Sequence, residues 1–79
     1  MSRFHLNVFN DVDAYDPEGI ERSTLEMAIR EAVAGARDLV ATHIRDGTPV
    51  YSSHRIEITD EPGNLLHTVR FGDIVDLRP

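Results

Sequence analysis

The chain has no cysteine, so neither a disulfide nor a thiolate-ligated zinc can staple it, and its stability must come from packing. It also has no lysine. Its eight cationic side chains are all arginine, scattered along the sequence, against fourteen aspartates and glutamates, for a net charge of −6. That balance repels nucleic-acid phosphates at long range, and although it leaves room for a local basic patch the arginines are scattered, so nucleic acid is not expected as a partner. No apolar run approaches the roughly 20 residues of a membrane helix, and no membrane association is expected. The opening Met1-Ser2-Arg3-Phe4-His5 carries one positive charge but no apolar stretch behind it, so it does not read as a secretory leader. A cytoplasmic location is expected.

With 79 residues there is room for one core, and residues 1–79 are read as a single small domain. Arg3 to Phe9 alternates, with Phe4, Leu6 and Val8 on one side and His5, Asn7 and Phe9 on the other, the period-two signature of a strand. Asn10-Asp11-Val12-Asp13 reads as a turn, followed by a short strand around Ala14 to Asp16. A second turn follows at Asp16-Pro17-Glu18-Gly19, after which Ile20 is expected to return to the core. Ser23-Thr24-Leu25-Glu26 has the form of a capping box with Ser23 as N-cap. From there to about Asp46, Leu25, Ala28, Ile29, Ala32, Val33, Ala36, Leu39, Val40, His43 and Ile44 form one apolar stripe at helical spacing. Glu26 and Arg30 are placed for an i,i+4 pair, Gly47 supplies the left-handed stop and Pro49 bars continuation.

Ser53 to Thr59 alternates again, Asp60-Glu61-Pro62-Gly63-Asn64 is a strong turn signal, and Leu65 to Phe71 returns. Setting Glu61 opposite Asn64 pairs Ile58 with His67, Ile56 with Val69 and His54 with Phe71 on one face, together with Leu65. A one-residue slip would expose Val69 and Phe71, so burial selects the first register. Ile74, Val75 and Leu77 offer a last apolar turn over a core edge. The expected fold class is α+β: a ββαββ chain with an antiparallel four-stranded sheet and one long helix packed on one face.

Several stretches carry a family likeness. Arg3-Phe4-His5-Leu6-Asn7-Val8, Asp16-Pro17-Glu18-Gly19-Ile20-Glu21, Thr24 to Ala32, Arg55 to Gly63 and Val69-Arg70-Phe71-Gly72-Asp73 together resemble, in that order, the small bacterial proteins of the domain-of-unknown-function family DUF6894. The resemblance covers nearly the whole chain and implies no activity or catalytic residue. Members of that family usually have an apolar residue where this chain has His67, and often an aromatic one where it has His5. A narrower likeness, over Asp16 to Ala32, is to antitoxins of the HicB type; it implies a regulatory module that binds a partner protein.

Candidate chemistry is sparse. Asp11, Asp13, Asp16, Glu18 and Glu21 are an acidic stretch, but a calcium loop starting at Asp11 would have Tyr15 and Asp16 at its fifth and sixth positions, where a ligand and a glycine are required. The stretch reads as a solvated turn whose carboxylates accept from free amides. Among the four histidines, His43 and His67 are expected at core margins, and His54 and His67 share a face but lie far apart, so no metal or other cofactor is expected. Ser53-His54 and Thr42-His43 are neighbours in sequence, which on a strand or helix does not make a catalytic pair. No catalytic residue is assigned and no enzyme is expected.

The small residues Ala28, Ala32, Gly35 and Ala36 allow close approach of the helix to its own sheet or to a partner at Gly35. Phe9, Tyr15, Tyr51 and Leu66 are expected to leave apolar surface on the sheet face no helix covers, a candidate interaction surface. The expected function is a non-enzymatic protein-interaction or accessory module, self-associating as a homodimer or binding another protein, with the HicB-like antitoxin as the alternative.

Overall fold

The computed structural model describes residues 2–76 and 78. Its elements are β1 (Ser2–Phe9), β2 (Asp13–Ala14), β3 (Ile20–Arg22), α1 (Leu25–Asp46), β4 (Arg55–Thr59), β5 (Leu65–Arg70) and a 3-10 turn at Phe71–Asp73. All strand pairs are antiparallel. The sheet runs β2-β1-β4-β5, with β3 also on β1, so β1 is interior and β5 forms one edge. The α+β class and the single helix on one face are as expected, with five strands in place of four.

The extra strand has a local cause. Both β2 and β3 lie along the same side of β1, at Val8↔Ala14 and Phe4↔Ile20, and the five residues between them oppose only three of β1. The surplus bulges outward, and Asp16 mends the ladder. Its carboxylate accepts from the Leu6 amide at 3.2 Å and the Gly19 amide at 3.0 Å, while its own amide donates to Asn7 Oδ1 at 2.9 Å. This contact buries Asn7, which alternation alone places on the open face. Gly19 closes the bulge at φ +72°, where an added Cβ would lie 2.7 Å from the Phe4 carbonyl oxygen.

The helix begins one residue later than the capping box implied. Thr24, not Ser23, is the N-cap, and its hydroxyl accepts from the Met27 amide at 3.3 Å. Glu26 meets Arg30 at 3.2 Å, and Gly47 ends the helix at φ +73°. Twenty-two residues make about 33 Å of helix, enough to cross the whole sheet. Ala28, Ala32 and Ala36 are fully buried against it, with Phe4, Val40, Ile56, Ile58, Val69 and Phe71 completing the core.

The closing hairpin has Ile56↔Val69 and Ile58↔His67, as the burial pattern required. Near the turn the register shifts, and Thr59 pairs with Leu65. Asp60, not Glu61, then closes on Asn64, with the Asp60 amide donating to the Asn64 carbonyl at 3.1 Å. The shift leaves Leu65 56% exposed instead of on the core face, and His67 is exposed rather than at a core margin. Ile74 and Val75 pack on the core edge; Leu77 lies outside the described residues.

Candidate functional site

Three features stand out: a histidine cluster, a neighbouring apolar groove and the open edge of β5. The cluster forms where the last turn of α1 passes over the start of β4. His43, in the apolar stripe, and His54, one residue before β4, are 7% and 5% exposed. Their ring centroids are 5.6 Å apart. His54 is held on several sides. Its amide donates to the Tyr51 carbonyl at 3.0 Å, its carbonyl accepts from the Phe71 amide at 3.0 Å, and Tyr51 and Phe71 meet its ring edge-on. The Tyr51 amide also reaches His54 Nδ1 at 3.4 Å. His43 Nδ1 lies 2.7 Å from the Thr48 hydroxyl. The β1–β2 turn brings the exposed Asp11 carboxylate to 3.9 Å from His43 Nδ1 and 3.8 Å from His54 Nε2.

Sequence reasoning missed this convergence. It placed His43 on the helix stripe and His54 on the core face of the hairpin, but not the end of the helix over the start of the hairpin. That step needs the strand order, which no motif encodes.

The groove, about 430 Å³, lies between the C-terminal half of α1 and the 3-10 turn. Its apolar lining is Val40, Ile44, Val50, Tyr51, Phe71 and Val75, and it shares Thr48, Tyr51 and Phe71 with the surroundings of the histidines. Ile44 and Tyr51 are exposed.

The five sequence-selected surface residues do not form one patch. Phe9 is half-buried on the open sheet face, with Tyr15 edge-on at 5.5 Å and the Arg55 guanidinium 4.6 Å from its ring centroid. Tyr51 belongs to the groove and not to that face. Leu66 sits on β5. Gly35 faces inward: a Cβ there would lie 3.8 Å from Ile56 Cδ1. The open face is otherwise polar. Arg55 pairs with Glu57 at 2.7 Å, and His5 bridges the Asp16 carbonyl at 2.6 Å and Glu61 at 2.5 Å. Hydrogen bonding to the Asp16 carbonyl and then to the Glu61 carboxylate raises the His5 pKa above its ordinary value.

The family model described as "Domain of unknown function (DUF6894)" matches residues 3–72. The chain belongs to that family. The match runs from β1 into the 3-10 turn, so Asp11, His43 and His54 all lie within the family's span, as does β5. No curated protein and no solved structure matches the chain. Among the described residues, no helix is long and apolar enough to cross a membrane.

Proposed function

We propose that this protein is a small non-enzymatic interaction module that pairs with a second copy of itself along β5. The observation that carries the reading is the character of that edge. Among the described residues, β5 is bonded to β4 on one side only, and its outer hydrogen-bonding groups face away from the sheet. Edge strands in soluble proteins are usually guarded by charge, proline or very short length. Leu65–Arg70 is six residues with no acid, lysine or proline, and its one formal charge is Arg70 at the end. Leu66 is 39% exposed. The opposite edge is guarded, since its strands are only two and three residues long.

The occupant of an open edge is an extended strand, and a second β5 fits by symmetry. Antiparallel pairing about a two-fold axis through Thr68 sets Thr68 opposite its own copy and Leu66 opposite Arg70, with no like charges facing. The Phe71 amide donates to the His54 carbonyl. By the alternation of an antiparallel ladder, Ile56/Val69 and Ile58/His67 are then the hydrogen-bonded pairs, and the Thr68 N–H points outward.

Thr68→Pro removes that donor without touching the β4 ladder, and Leu66→Lys places a charge on the edge. Sedimentation equilibrium is expected to give a dimer for the native chain and monomers for both variants, with circular dichroism unchanged. A native monomer, or folded variants that dimerise equally well, would rule out the edge.

A second reading is favoured by the groove. Exposed Ile44 and Tyr51 beside an apolar trough, on a chain of net charge −6, suit a basic partner protein with an apolar anchor, as for a HicB-like antitoxin. A small basic protein encoded alongside, co-eluting with this one and released by Ile44→Asp, would favour that reading; co-elution unaffected by Ile44→Asp would remove the groove from it.

A further inference from the structure

We propose that Asp11, His43 and His54 form a binding site for a first-row divalent transition-metal ion such as zinc. One donor atom from each residue lies within 4.8 Å of the other two. Tetrahedral coordination with metal–ligand bonds of about 2.0–2.2 Å puts donors about 3.3–3.6 Å apart, so donors within 4.8 Å of one another must draw together by up to about 1.5 Å. Asp11, an exposed side chain on a turn, already lies 3.9 Å and 3.8 Å from the two imidazole nitrogens and is free to follow them.

The protonation states can be followed. His54 Nε2 has no hydrogen-bond partner among the described residues; the nearest carboxylate oxygen is Asp11 Oδ1 at 3.8 Å. No buried side-chain nitrogen there lacks a partner, so this atom opens to water, which gives an ion its way in. Coordination through Nε2 places the ring proton on Nδ1 and gives up the Tyr51 amide contact, which at 3.4 Å is already long. If His43 coordinates through Nδ1, it releases the Thr48 hydroxyl. That hydroxyl keeps another acceptor, the His43 carbonyl at 3.4 Å.

The donor set selects the ion. Two imidazoles and one carboxylate suit zinc, nickel, cobalt or copper, whereas calcium and magnesium need mostly oxygen ligands. Three protein ligands leave a tetrahedral ion one position for water, at the mouth beside Asp11. This site does not depend on pairing at β5.

The test is isothermal titration of the untagged, chelator-treated protein with zinc chloride, paired with thermal melts. The site predicts one ion per chain and a higher melting temperature with zinc. Asp11→Ala, at an exposed position that should not disturb folding, and His54→Gln are each expected to weaken binding at least about tenfold. His67→Gln, an exposed histidine away from the cluster, should bind as the native chain does. Failure to saturate below millimolar zinc would overturn the site. So would native affinity in Asp11→Ala, or binding that His67→Gln abolishes.

Discussion

Replacing Gly35 by alanine should stabilise the protein, and the size of the gain follows from how α1 lies on the sheet. Gly35 sits mid-helix, where glycine costs about 0.8–1.0 kcal/mol relative to alanine. The new methyl would meet Ile56 Cδ1 at 3.8 Å, an ordinary van der Waals contact, with nothing else near. Because the position is half-buried, covering part of that methyl adds roughly 0.4 kcal/mol more. The sum, about 1.2–1.4 kcal/mol, corresponds to a melting-temperature rise of about 5–10 °C for a domain of this size. Differential scanning calorimetry of Gly35→Ala reads it directly. A fall in melting temperature would mean that helix and sheet approach more closely at this point than the 3.8 Å clearance, and would refute the packing. Ala32→Leu supplies the contrast. Ala32 is fully buried between helix and sheet, and a larger side chain there should cost about 1–3 kcal/mol.

Gly19→Ala should be strongly destabilising, because the position combines φ +72° with a carbonyl oxygen 2.7 Å from the new Cβ; denaturant unfolding should show a lower midpoint, and an unchanged midpoint would contradict the bulge geometry. The stabilisation that His5 supplies should depend on pH. The folded-state pKa of His5 is raised, so its contribution is full below the ordinary histidine value and lost as pH rises through the raised one. The melting-temperature advantage of the native chain over His5→Gln should therefore shrink between about pH 6 and pH 8; an advantage that grows over that range would refute the assignment.

Much of the fold was legible because burial constrains it at particular residues. A one-residue slip at Ile56 and Ile58 would have wetted Val69 and Phe71, and Gly47 and Pro49 left the helix one place to stop. Two details escaped for identifiable reasons. Thr24 and Ser23 are both competent N-caps, and choosing between them depends on where β3 ends. The pairing near Asp60 shifted because its carboxylate accepts from the Gly63 amide at 3.0 Å and the Asn64 amide at 2.7 Å, which closes the turn one residue earlier. Those bonds, with the Asn64 side-chain amide the largest cause, also hold the Asp60 pKa below its ordinary value. The open edge of β5 and the meeting of Asp11 with His43 and His54 both depend on strand order, which is set by contacts between residues far apart in sequence.

The most direct test of edge pairing is amide hydrogen exchange along β5 as a function of protein concentration. In the free chain the Thr68 N–H points to water; in the paired chain it is bonded to a second β5. Pairing predicts that exchange at Thr68 slows as concentration rises and that Leu66→Lys abolishes the effect, while exposed amides away from β5, such as that of Val12, keep a constant rate. Exchange at Thr68 that stays fast at every concentration would contradict the account.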